Sequence, residues 1–140
     1  MSASVTRLAA SSGVAVLDGL LNETLRLAVE ARGYLADGEG PGGGDADARL
    51  PRLVEACELS RLSARLSYCI CWLLARRAVQ EGAFGEEESR EPRWRLEGME
   101  ICLDGGTDRP GELPPPLRDL LDRSLALYRR VARLDRRLDA

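Results

Sequence analysis

The sequence predicts an all-α fold: a three-helix bundle built around one long central helix. Three stretches, about residues 12–36, 51–81 and 115–138, repeat apolar residues at helical spacing. Two connections rich in helix breakers, about 37–48 and 83–116, separate them. Strand-like patterning is weak and confined to residues 94–103, and no internal repeat is present. At 140 residues the chain forms one domain with a modest core.

In the first helix the apolar positions are Val14, Leu17, Leu21, Leu25, Ala28 and Leu35, with Asp18, Asn22, Arg26 and Glu30 on the other side. Ser11 or Ser12 suits the N-cap, and Gly38 suits the stop. The following "DGEGPGGGDADA" (37–48) holds five glycines, a proline and no large apolar residue, so it reads as a flexible linker.

The second helix should start near Pro51, which is tolerated in a first turn, and end at Gly82, which can take a left-handed conformation. About thirty residues of helix span about 45 Å. Leu59, Leu62, Leu66, Cys69 and Leu73 form one stripe, and the small residues Ser60, Ser63, Ser67, Cys71 and Ala78 form another. With two faces to cover, this helix is expected at the centre. Its ten-residue stretch from Leu66 to Ala75 is uncharged and is bounded by Arg65 on one side and Arg76 and Arg77 on the other. A membrane crossing needs about 20 apolar residues, so this run fits a buried helix instead.

The second connection carries Glu86, Glu87 and Glu88, where a short helix is expected, then "RWRLEGMEICLD" and "GGTDRPGELPPP". Trp94, Met99, Ile101 and Leu103 are too apolar for a free loop, so part of the segment should pack on the bundle. The third helix is plain from Leu117, Leu120, Leu121, Ser124, Leu127, Tyr128, Val131, Leu134 and Leu138, a spacing near 3.5.

Composition removes the commonest catalytic tools. All 20 basic residues are arginine and there is no histidine, so neither lysine Schiff-base nor histidine general-base chemistry is available. No enzyme activity and no cofactor are expected. A net charge of −3 argues against a surface built for nucleic acid. Asp18 interrupts the mild apolar run near the N-terminus, so an unexported, cytoplasmic chain with reduced thiols is expected.

Cys69 and Cys71 invite a metal reading, but two positions apart on a helix is about 200° of rotation, so both cannot face one ion. The glycine run lacks the Gly-Lys-Ser/Thr ending of a phosphate loop. Glu86 to Glu88 open a surface segment without a cleft for acid–base work. In the third helix Arg129, Arg130, Arg133, Arg136 and Arg137 make a basic tip that can meet phosphates, diluted by Asp119, Asp122, Asp135 and Asp139 on a mixed-charge face. Arg76, Arg77 and Glu81 mark where the second helix leaves the core, either as a surface ion pair or as a recognition site.

"LSARLSYCICWLLARRAVQEGAF" (62–84) and "LPPPLRDLLDRSLALYRRVARLDRRL" (113–138), with "EARGYLADG" (30–38), resemble the family of the bacterial regulator of CtrA degradation, RcdA. That resemblance implies a dimeric three-helix bundle acting as an adaptor, not an enzyme. Family members help the ClpXP protease destroy cell-cycle regulators: they dock on the primed protease through the receiver-like adaptor CpdR, bind some cargo directly, and recruit the cyclic-di-GMP-binding adaptor PopA for other cargo. Protein contacts are expected at Arg76, Arg77, Glu81, Arg129, Arg130 and Arg133. The disordered tail that members commonly carry beyond the last helix is expected to be absent, the sequence reaching Ala140 just after Leu138. The alternative is a small nucleic-acid-associated transcriptional regulator using the basic end of the third helix.

Overall fold

The structure, a computed structural model, describes residues 2–37 and 49–139, with side chains from residue 13 onward. Three long helices carry the fold: α1 (Ser2–Ala36), α2 (Arg49–Gln80) and α5 (Pro115–Arg137). Two one-turn helices, α3 (Glu86–Ser89) and α4 (Met99–Cys102), interrupt the second connection. No strand occurs among the described residues, and the weak strand signal at 94–103 falls on a 3₁₀ turn (Pro92–Trp94) and α4. The predicted linker lies outside the described residues except for Asp37, whose N–H caps the Gly33 carbonyl at 3.0 Å.

α1 starts about ten residues earlier than expected. Ser11 and Ser12 do not act as a cap, because serine inside a helix costs only a fraction of a kcal/mol and the helix continues through both. Its buried seam shares Leu17, Leu21 and Ala28 with the expected one and differs elsewhere. Leu20, Leu21, Thr24 and Leu27 are buried, flanked by Leu17, Ala28, Ala31 and Tyr34, whereas Val14, Leu25 and Leu35 are exposed. The real seam steps by three and four alternately and runs through Thr24, whose hydroxyl hides by donating to the Leu20 carbonyl at 2.7 Å.

α2 ends as the sequence predicts. Gly82 sits at φ 76°, its N–H reaches Val79 O, and the Ala83 N–H reaches Ala78 O, a Schellman closure. α2 touches each of the other four helices, so it is central. It is nevertheless covered on one side only. α1 and α5 both pack along the face of Leu62, Leu66, Cys69 and Leu73; of the predicted second stripe, Ser60, Ser63, Ser67 and Cys71 point outward and are exposed, and Ala78 is half-buried.

The predicted α5 stripe is the observed one: Leu117, Leu120, Leu121, Ser124, Leu127, Tyr128 and Val131 are buried, and Leu134 and Leu138 pack against the core. Helix directions follow from side-chain pairs. Tyr34 bonds to Glu55, and Gly13 lies beside Gln80, so α1 and α2 are antiparallel. Arg65 reaches Leu121 and Ser124 while Trp72 reaches Asp135, so α2 and α5 run parallel. Parallel neighbours need a chain return along the whole bundle, which is why the second connection is so long.

That return, residues 81–114, lies back along α2. It does pack down, but through Leu96, Cys102 and Leu113; Trp94, Met99, Ile101 and Leu103 stay exposed. Short helical turns hide every third or fourth side chain and release the rest, so Leu96 and Cys102 turn inward where their apolar neighbours turn out.

Candidate functional site

The crossover is fastened to α2 and α5 by polar side chains at nearly every turn, in reverse order along α2. Arg76 Nη1 donates to Ser89 Oγ (2.8 Å) and its Nη2 to Glu86 Oε1 (2.9 Å). Trp72 Nε1 donates to Asp135 Oδ1 (2.8 Å), which also accepts from Arg95 Nε (2.9 Å) and the Leu96 N–H (3.2 Å). Tyr128 Oη donates to the Glu97 carbonyl (2.6 Å). Gly98, at φ 82°, lets the chain pass the Tyr68 ring, where an added Cβ would stand 2.4 Å from a ring carbon.

Arg65 is 3% exposed and spreads its guanidinium over backbone oxygens. Nε donates to Cys102 O (2.8 Å), Nη1 to Leu121 O (3.1 Å) and Ser124 Oγ (3.3 Å), and Nη2 to Asp104 O (3.3 Å). Burial pulls its pKa below that of a free guanidinium. Farther along, the buried carboxylate of Glu58 accepts from Arg61 Nη1 (2.6 Å) and from the Thr107 N–H (3.0 Å).

The local sequence pattern does not announce this row of fastenings: Arg65 bounds an apolar run and Asp135 belongs to a mixed-charge helix, yet both are buried. One signal was present: Glu58, Arg65 and Trp72 recur every seven residues within the leucine stripe, so the polar members sit on the core face.

The predicted contact residues divide into three groups. Arg76 is committed to Ser89 and Glu86, with its side chain 14% exposed. Arg77 and Glu81 form the expected surface pair at 3.1 Å. Such an exposed pair contributes only tenths of a kcal/mol, leaving both groups free to exchange partners. Arg129, Arg130 and Arg133 are exposed on α5 and have no hydrogen-bond or ion-pair partner among the described residues. Because α2 and α5 are parallel, Arg77, Glu81 and the three α5 arginines belong to the same half of the bundle.

Cys69 is buried and Cys71 exposed, as their rotation on one helix requires. Among the described residues no group of three or more His, Cys, Asp or Glu is placed to hold a metal, and no helix is long and apolar enough to cross a membrane. Burial pushes the Cys69 thiol from 9.0 up to about 12. An unfolded chain therefore loses this proton first, so the stabilising contribution is complete below pH 9 and is lost as pH rises toward 12. Tyr34 and Tyr128, whose phenols are also pushed up chiefly by burial, act in the same direction. Melting temperature should fall steadily above pH 9, and Cys69→Ala should flatten that slope; an unchanged slope would remove Cys69 from the explanation.

Comparison with known proteins agrees with this architecture. Residues 8–140 match the family described as "Protein of unknown function (DUF1465)". A solved structure titled "Crystal Structure of RcdA from Caulobacter crescentus CB15" is 34% identical, with a TM-score of 0.63, covering 87% of this chain and 89% of that one. No curated protein matches. With the family match spanning nearly the whole chain and the fold shared over most of its length, this chain belongs to the RcdA-like family described as DUF1465.

Proposed function

We propose that the chain is a non-enzymatic adaptor in regulated proteolysis, a cytoplasmic scaffold that tethers cell-cycle regulators beside a primed ClpXP protease. The observation that carries this reading is the 34% identity to RcdA over 87% of the chain. Physical chemistry supports it. An adaptor raises the local concentration of cargo at an unfoldase, which requires rigid surfaces and no reactive groups. The stapled crossover supplies rigidity, and the histidine-free composition withholds nothing the task needs.

In this reading the exposed Arg129, Arg130 and Arg133, with Arg77 and Glu81, are the contact residues, and Arg76 supports them by holding α3. Acidic surfaces suit the α5 arginines, which find no carboxylate within their own chain among the described residues. The outward stripe of Ser60, Ser63, Ser67 and Cys71 is the homodimer face, since small residues let two helices approach closely. A degradation assay with ClpXP, a receiver-like adaptor and a fluorescent cargo tests the role. Added chain should accelerate cargo loss, and reversing Arg129, Arg130 and Arg133 to glutamate should abolish the acceleration. No acceleration with any cell-cycle cargo would sink the proposal.

Cys71 gives the dimer a readout of its own. Iodoacetamide should label exposed Cys57 at every protein concentration, but Cys71 only on dilution, with sedimentation reporting the change in mass. Equal labelling throughout would reject this face. A second reading, nucleic-acid binding through the same unpartnered α5 arginines, predicts duplex affinity that falls steeply with salt.

A further inference from the structure

At the opposite end of the bundle from the basic part of α5, a cavity of about 620 Å³ opens where the end of α1, the start of α2 and the start of α5 meet. Its wall is apolar: Leu35, Leu59 and Leu120 with the rigid rings of Pro114 and Pro116. Its rim is acidic. Glu30, Asp37, Glu55 and Asp119 line it, and among the described lining residues Arg123 is the one cation.

Arg123 lies between two of these carboxylates, Nη2 at 2.7 Å from Glu30 and Nη1 at 3.0 Å from Asp119. Glu55 accepts a hydrogen bond from the Tyr34 phenol, a neutral donor. Four carboxylates against one guanidinium leave the mouth negative beside an apolar wall. The neighbouring segment of the same chain, residues 38–48, is itself acidic and has no large apolar side chain, so its chemistry does not match this cavity.

We infer that this cavity is a docking site for a partner segment in which arginine or lysine flanks an aliphatic side chain. The aliphatic group enters against Leu59, Leu120 and the prolines, while the cation meets Glu55, Asp37 and the edge of the Glu30–Asp119 pair. Amphipathic cations fit such a site well because their methylene stems cover apolar surface while the head group stays at the rim. The inference rests on the cavity and its charges, goes beyond the adaptor reading and does not require it. It adds a second surface, opposite in charge to the α5 arginines, at the other end of the molecule.

Gly33 supplies a fold-preserving block. It lies within α1 and lines the cavity, and a Cβ added there meets nothing within 4 Å. Leucine is also a better helix former than glycine, so Gly33→Leu should fill the cavity with no loss of melting temperature. Glu55→Gln keeps an acceptor for Tyr34 and removes one charge.

The probe is a short capped peptide of leucine and arginine, with a control in which glutamate replaces every arginine, each titrated into the full ¹⁵N-labelled chain. Amide shifts should cluster at Gly33, Tyr34, Asp37, Glu55 and Asp119. Affinity should drop at least tenfold in Gly33→Leu and severalfold in Glu55→Gln, and the glutamate control should not bind. Shifts clustered elsewhere, no binding at millimolar peptide, equal affinity in a well-folded Gly33→Leu protein, or equal binding of the control would overturn the inference. Loss of ClpXP stimulation would not bear on it, so the two readings fail separately.

Discussion

Replacing Arg65 with alanine is expected to destabilise the bundle by about 3 kcal/mol, a large fraction of the stability of an ordinary domain. The guanidinium is buried and joins three elements at once: it starts on α2, holds Cys102 O and Asp104 O on the crossover, and holds Leu121 O and Ser124 Oγ on α5. Truncation strands the buried Cys102 carbonyl at about 1–3 kcal/mol and opens a cavity along the lost side chain, while Leu121 O keeps the Ser124 hydroxyl as a donor. Against this stands the relief of no longer burying a cation without a carboxylate beside it, which is why the sum stays well below the gross loss. Arg65→Lys is the informative companion. An ammonium has no planar fork to span acceptors on both sides, so it should recover no more than half of the loss. Urea unfolding measures both, and hydrogen exchange should show residues 102–104 losing protection first. A loss under about 1 kcal/mol for the alanine variant would mean that packing alone holds the crossover.

The same residue marks the limit of what the sequence disclosed. The three long helices, the Gly82 stop and the α5 stripe were legible because each is a local pattern: period, breaker and cap act within a few residues. The α1 seam was legible only at Leu17, Leu21 and Ala28, because two apolar stripes compete on that helix and only the neighbours decide which is buried; Thr24 won a core place that its polarity argued against. Helix direction was also hidden. Nothing local states that α5 runs parallel to α2, yet that single fact explains the length of the connection and the need for its fastenings. Arg65 and Asp135 were misread for a related reason. A charged residue looks solvent-facing until the backbone carbonyls or N–H groups that will satisfy it are brought close by a distant segment.

The candidate contact residues sit in different surroundings. Arg76 and Arg77 are adjacent in sequence and alike in chemistry, but a helix turns them about 100° apart. Arg76 therefore meets Ser89 and Glu86, while Arg77 remains at the surface with Glu81. On α2, Arg61, Arg65 and Arg76 bond to the crossover, whereas Arg77 is held only by its exposed pair with Glu81. On the crossover Arg95 is bound to Asp135 and Asp139, while Arg129, Arg130 and Arg133 on α5 have no ion-pair partner among the described residues.

Trp72→Ala should cost about 3–5 kcal/mol, comparable to or larger than the Arg65 effect, by a different route. The indole is 4% exposed, so its removal opens a large apolar cavity between α2, α5 and the crossover. It also deprives Asp135 Oδ1 of one of three donors, leaving Arg95 and the Leu96 N–H to hold that carboxylate. Trp72→Phe separates the two contributions: most of the volume stays, the N–H is lost, and the expected cost is about 1–2 kcal/mol. Trp94, exposed on the crossover and stacked 5.1 Å from Phe84, remains in both variants as the fluorescent reporter. If alanine and phenylalanine cost the same, the Trp72–Asp135 hydrogen bond dominates and the cavity collapses at little expense. If alanine shifts the melting point by only a degree or two, the indole is not part of a packed core. The expected ordering, alanine well above phenylalanine, would show that α2 holds α5 mainly by packing, while Asp135 sets where the crossover docks.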